Sequence, residues 1–332
     1  MDRRRRRPAS ELAGRFLGAV VLAGLGCASA LAALGDAPIK GMLWIAPRAD
    51  PARALGTLPA ECLRVPADPA LAARVEVGRA AFRTSVLLGG QAARAGINCE
   101  TCHRAGRDNP DFHFPGVSGA PGTADVTNSL FSTHRGNGVD DPRPIPDLGG
   151  PKAKLKVSQV PADKKLEPFI HGLITEEFDG PEPTPAVLDG LAAYVRALDP
   201  GVCRGRPRLS LDVALLMADA RRAMKAAETQ AASGDAATAV VMVASARSRL
   251  GLIDERYGAP ALATQRTALR AADQKLAEAQ AALRARAPDA PQRLADWLAD
   301  ARPLEAALRA KEPQSLFNPA RLAQATKRRL PG

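Results

Sequence analysis

The chain has 332 residues, with 46 Lys and Arg against 35 Asp and Glu and aromatic rings at only 4%. A net charge of +11 built from interspersed bases and acids favours acidic partner surfaces, and so few rings exclude a stacking platform for single-stranded nucleic acid. Five cysteines and four histidines leave few side chains able to hold a metal or cofactor.

Residues 1–33 open with five arginines, Arg3 to Arg7, and continue through "FLGAVVLAGLGCASALAA". A basic start, a short apolar stretch and small residues near Ala30 to Ala33 predict a secretory signal. The alternative is a retained membrane anchor, since about 20 apolar residues span a bilayer. The arginines stand directly before the apolar stretch, which suits export better than a nucleic-acid patch. Cys27 is read as part of the signal, because Gly24 stands where a lipid-attachment motif wants leucine. Removing residues 1–32 takes away six arginines and two acids and lowers the charge from +11 to +7. The expected location is periplasmic or otherwise exported, with membrane contact only through an uncleaved N-terminal segment.

Residues 34–66 read as a linker. From 67 to 203 the chain is punctuated by Gly and Pro, as in "HFPGVSGAPGT" and "GVDDPRPIPDLGGPK". Two helices are predicted there, Pro69 to Leu87 and Pro185 to Leu198, with extended loops between them. Long loops inside a compact domain point to a site they serve, and a buried cofactor would supply the missing core. Beyond Cys203 the composition turns to Ala, Leu, Arg, Gln and Glu. Val243, Ala246, Leu250, Ile253 and Tyr257 recur at helical spacing, as do Leu262, Leu269, Leu276 and Leu283, which predicts amphipathic helices. Four are drawn, at 209–232, 236–256, 260–286 and 290–310, broken at "SGD", "YGAP" and "APDAP". Such short breaks make antiparallel neighbours, so residues 208–328 are expected to form a helical bundle with Met217, Met224 and Trp297 as core filler.

The chemistry concentrates in "GINCETCHRAGRDN", where Cys99, Cys102 and His103 form C-x-x-C-H. That spacing sets two sulfurs along one porphyrin edge and turns an imidazole beneath the metal, so it reads as covalent haem attachment with His103 as proximal ligand. A zinc corner needs four ligands, and the chain has no second C-x-x-C. A thioredoxin-like pair needs a helix start and a βαβ setting, which the flanking sequence does not announce. The expectation is one covalently attached haem c in a mainly α protein: a c-type haem domain at 67–203 followed by the antiparallel bundle.

Three stretches, "VGRAAFRTSVLLGGQAARAGINCETCH", "PGVSGAPGTADVTNSLFS" and "EEFDGPEPTPAVLDGLAAYVRAL", together resemble the haem domain of bacterial di-haem cytochrome c peroxidases and their methylamine-utilisation relatives. The resemblance covers about 130 residues, Pro69 to Leu198. It implies a helix ending before the motif, a Gly-rich loop crossing the cofactor and a closing helix. Those peroxidases carry two haems, one storing an electron and one reacting with peroxide, whereas this chain has a single motif. The resemblance therefore implies the fold more directly than the reaction.

The sixth iron ligand separates electron transfer from small-molecule chemistry. Met42, Met217, Met224 and Met242 lie outside the haem region or in the bundle, which leaves His134, then His113, then His171, or an open position. His134 in "FSTHRGNGVDD" is the first choice, beside Arg135 as a propionate partner; His113 in "DFHFPG" is flanked by aromatics. Glu176 and Glu177 are candidate proton carriers. Cys62 and Cys203, left over at the two ends of the haem domain, are expected to pair in an oxidising compartment. The lysines between Lys152 and Lys165 read either as a solvated loop or as a collar that docks an acidic redox partner, and "ATKRRLPG" as a frayed tail. The leading expectation is electron transfer with His103 below and His134 above the iron. The alternatives are a peroxidase or oxidase fed by an external electron centre, and a haem-based sensor or interaction scaffold.

Overall fold

The computed structural model describes residues 39–149, 155–203, 205 and 208–327. The expected signal with Cys27, the lysines at 152 and 154, and the last residues of the basic tail lie outside that set. The described chain is mainly helical. In order it forms α1 (Pro51–Gly56), β1 (Thr57–Pro59), α2 (Pro69–Ala81), α3 (Gly90–Arg94), α4 (Cys99–Cys102), β2 (Thr123–Ala124), β3 (Arg143–Pro144), α5 (Leu166–Gly172), α6 (Pro185–Ala197) and β4 (Arg208–Ser210). Then come α7 (Val213–Ala232), α8 (Ala236–Arg256), α9 (Ala263–Arg284), α10 (Ala290–Arg309) and α11 (Pro319–Lys327).

Caps explain where the main helices start. The Asp68 carboxylate accepts from the N–H groups of Ala70 and Leu71, and Thr184 Oγ1 from that of Val187, while Pro69 and Pro185 need no acceptor. Asp212 and Asp235 do the same for α7 and α8, accepting from Leu215 at 2.7 Å and Thr238 at 2.9 Å. α2 and α6 cross at two glycines: a Cβ on Gly78 would lie 1.8 Å from the Gly190 carbonyl oxygen, so the backbones touch.

α7 packs on α8 and α10, and α9 on α8 and α10, which closes an antiparallel four-helix ring. α2 in turn packs on α6, α7 and α8. One apolar cluster therefore runs from Val75 and Leu191 through Met217 and Leu250 to Leu308, without a break at residues 203–208. α8 is long and apolar enough to cross a membrane, but 56% of its apolar stretch is buried in this core. A second, smaller cluster of Leu88, Ile97, Phe112, Val117, Phe131 and Ile145 is joined by Trp44, Phe114 and Phe178.

Two ties close the N-terminal half. Thr57 pairs with Ser210 in the antiparallel β1–β4 ladder, and Cys62 is bonded to Cys203 with Cα atoms 5.3 Å apart, as expected. Several helix boundaries differ from expectation, three of them notably. The first helix stops at Ala81 rather than Leu87, because the Arg83 carbonyl is taken by Arg249 at 2.8 Å and not by a helical N–H. The first bundle helix begins at Val213 because Arg208–Ser210 pair as β4. α11, which reaches Lys327, extends helix into the segment expected to fray.

Candidate functional site

The cysteine pair sits on a single helical turn. Asn98 accepts from the Thr101 N–H at 3.1 Å, and Thr101 Oγ1 accepts from the Asn98 N–H at 3.1 Å, a reciprocal cap. The helix start that the flanking sequence did not announce is therefore present. The βαβ setting of a redox pair is not: the named strands form two antiparallel pairs among the described residues.

After Cys102 the chain turns sharply. His103 leaves the helix, and Ala105 adopts φ 52° and ψ 38°, a left-handed conformation uncommon for a non-glycine. The proline-rich run that follows the Gly-rich loop is bound back onto this turn. The Leu148 N–H donates to the Gly106 carbonyl at 3.0 Å, and Arg107, 3% exposed, grips both oxygens of Asp147. Between these ties His103 Nδ1 lies 3.0 Å from the Pro146 carbonyl oxygen. A carbonyl can only accept, so Nδ1 carries the proton and Nε2 keeps its lone pair, the arrangement metal-binding histidines adopt.

Cys99, Cys102 and His103 share one cavity of about 240 Å³. Its walls come from Ile145, Pro146 and Leu148, from Phe169 and Ile170 of α5, from the π-helical turn Leu173–Glu177 with Phe178, and from Leu191 and Val195 of α6. Apolar walls with a few convergent polar groups are what a bound cofactor needs. Burial pushes both thiols up to about 12 and lowers His103 to about 4 against the pull of the Pro146 hydrogen bond and Asp147. In the metal-free chain the imidazole is thus neutral and the sulfurs are thiols. Among the described residues no group of three or more His, Cys, Asp or Glu gathers to hold a metal ion. The donor set fits a planar apolar cofactor joined through two sulfurs and one imidazole.

The other expected site residues lie elsewhere. His134 has a side chain 63% exposed, with Nδ1 3.0 Å from Asp179, and it does not line the cavity. His113 is held through its backbone by Trp44, and the aromatics beside it pack in the second cluster, Phe114 stacking on Trp44 at 4.7 Å. His171 pairs with Glu182 at 2.9 Å. Arg135 pairs with Glu176; the cations lining the cavity are Arg143 and Lys156. Of the expected collar, Lys156, Lys164 and Lys165 are described and exposed. Glu176 is exposed, but Glu177 is 5% exposed, its Oε2 makes no hydrogen bond, and burial holds its carboxyl above the usual range.

Sequence reasoning missed Pro146 and Phe178 as cavity residues, because no local pattern marks a loop that returns from forty or more positions away; Lys156, part of the expected collar, lines the cavity. It also missed Arg249, whose one signal was a charge at a position the bundle buries. No family model, curated protein or solved structure matches the chain.

Proposed function

We propose that this chain carries one covalently attached haem c and works as an exported redox protein whose iron offers its sixth position to a small ligand. Cys99 and Cys102 anchor the porphyrin and His103 binds the iron through Nε2. The observation that carries this reading is the cavity itself: two thiols and an imidazole with its Nδ1 engaged by Pro146, facing walls that, among the described residues, contain no second histidine and no methionine. The resemblance to one half of the di-haem peroxidases supports it.

The haem supplies an iron that exchanges one electron and can take up a ligand. The chain's own residues do the rest. Pro146 fixes the His103 imidazole, and Arg143 and Lys156, which line the cavity, would pair with the haem's carboxylates. Phe169, Leu173 and Phe178 keep water from the porphyrin face. Glu177, one residue from Phe178, is buried, and that burial raises its carboxyl and favours the protonated form. Reduction of peroxide to two waters takes two electrons and two protons, and with a single C-x-x-C-H the electrons must come from a partner. Lys156, Lys164 and Lys165 give that partner a basic landing surface.

A second reading, the bis-axial electron carrier with His134 above the iron, is favoured by one observation. Asp179, the present partner of His134, directly follows the wall residue Phe178. A visible spectrum of the full chain matured with covalent haem separates the two. A ferrous form that binds carbon monoxide, unchanged in His134→Ala, supports the open site. A low-spin iron blind to carbon monoxide that becomes reactive in His134→Ala overturns it in favour of the carrier.

A further inference from the structure

Glu100 stands between the two attachment cysteines, and its charge is answered from the bundle. Arg249 of α8, 4% exposed, donates from Nη1 to Glu100 Oε2 at 2.9 Å and from Nη2 to the Arg83 carbonyl at 2.8 Å. Arg83 Nε donates to the other carboxylate oxygen at 2.9 Å. Beyond it Arg83 faces Glu61 at 2.8 Å and Asp219 of α7 at 3.6 Å, and Tyr194 of α6 donates to Glu61 at 2.8 Å. Arg104, the other charged group near Glu100, donates to the Ala54 and Thr57 carbonyls. Burial raises the Glu100 carboxyl, but Arg83 and Arg249 outweigh it and hold it at about 2.

Joining two elements through buried charges is an inefficient way to gain stability, because desolvation consumes most of the attraction. An apolar contact at the same place would hold α8 as well. What charges add is a field at the cavity, strengthened by low-dielectric surroundings. Glu100 and Arg249 line the adjoining cavity rather than this one, but Asn98 lines both and Cys99, the next residue, lines the first, so a carboxylate there would favour ferric iron and a guanidinium ferrous.

We propose that the helical bundle is the electrostatic regulator of the haem: Arg249 of α8, acting on Glu100, sets the reduction potential of a cofactor bound in the neighbouring cavity. The inference rests on the haem reading above. Arg249 is a positioning residue that acts through Glu100, and a partner drawing α8 away from the attachment turn shifts the potential without touching the cofactor.

The test is redox potentiometry at pH 7 on the full chain, after a pyridine haemochrome spectrum has shown covalent haem. Glu100→Gln raises the potential and Arg249→Gln lowers it, each changing the ferrous-to-ferric equilibrium by about tenfold, or 59 mV for one electron. The double variant returns to within about threefold of wild type, and Arg249→Lys, which keeps the charge, stays within the same bound. Loosened packing predicts shifts of one sign, so both single variants moving the same way overturns the proposal, as does Arg249→Lys moving as far as Arg249→Gln. If Arg249→Gln does not accumulate, Asp219→Asn takes its place: a raised potential supports the proposal, and a lowered or unmoved one overturns it. Wild type lacking covalent haem brings down both readings, whereas covalent haem with unmoved potentials overturns this one alone.

Discussion

In the bundle, Met217, Met224, Met242, Tyr257 and Trp297 are all at 2% exposure or less; the helices fill their own interior. In the N-terminal half, Phe169, Ile170, Leu173 and Phe178 are partly exposed around a cavity, and much of the chain there is turn and loop. Regular structure follows where the core comes from. Helices that interdigitate satisfy backbone and apolar surface together, whereas loops around a cavity satisfy each group by separate ties such as Leu148 to Gly106 and Arg107 to Asp147.

Removing the proposed cofactor is the sharpest way to break this comparison. If the chain carries haem as proposed, Cys99→Ser with Cys102→Ser abolishes the haem that survives denaturing electrophoresis. Hydrogen exchange then shows α5 and the π-helical turn losing protection by about tenfold or more, ~1.4 kcal/mol, while α7 to α10 hold theirs. Equal loss in both regions would mean that the shared apolar cluster leaves no difference between them. In global stability the larger cost, about 4 kcal/mol in denaturant unfolding, falls to Cys62→Ser with Cys203→Ser, given the 141-residue separation of the bonded cysteines.

Gly78→Ala forces α2 from α6 and costs about 3 kcal/mol by overpacking. Met224→Ala in the bundle loses a similar ~3 kcal/mol by leaving a cavity, so two core defects of opposite kind should give comparable urea midpoints. A smaller effect comes from acid. In the apoprotein His103 is held at about 4 against an ordinary 6.5, so the unfolded chain binds the extra proton and stability is lost as pH falls from 6.5 toward 4. The loss is at most about 3 kcal/mol, less where water reaches the ring. Urea midpoints at pH 7.5 and 4.5 check it, and His103→Gln should remove the difference. Smallest of all, His134→Ala changes stability by less than about 1 kcal/mol, as expected of an exposed ion pair.

The parts legible in the sequence were those written in adjacent residues. The Ala and Leu stripes set α8 at Ala236–Arg256 as drawn and put α9 and α10 within three residues of expectation. Helices starting at Pro69 and Pro185 were drawn where α2 and α6 begin, and the structure adds that Asp68 and Thr184 cap them. Cys99, Cys102 and His103 fall together in the cavity because four bonds of chain join them, and Cys62 and Cys203 pair as the two cysteines left over. Short elements such as α1, α3, α5 and β4 carry too few residues for a period and are held by distant partners. For the same reason the ties that complete the site, Pro146 on His103 and Arg249 on Glu100, were unreadable: each spans a separation that only the folded path of the chain supplies.

The bond between Cys62 and Cys203 also makes the haem-motif half a covalent ring with two tails. A protease that cuts once anywhere between those cysteines opens the ring but releases nothing, because the two pieces remain joined through sulfur. Such a nick passes unseen on a non-reducing gel and appears as two fragments only after reduction. In an exported setting this lets the loops around the cavity be cleaved without the protein parting from its bundle.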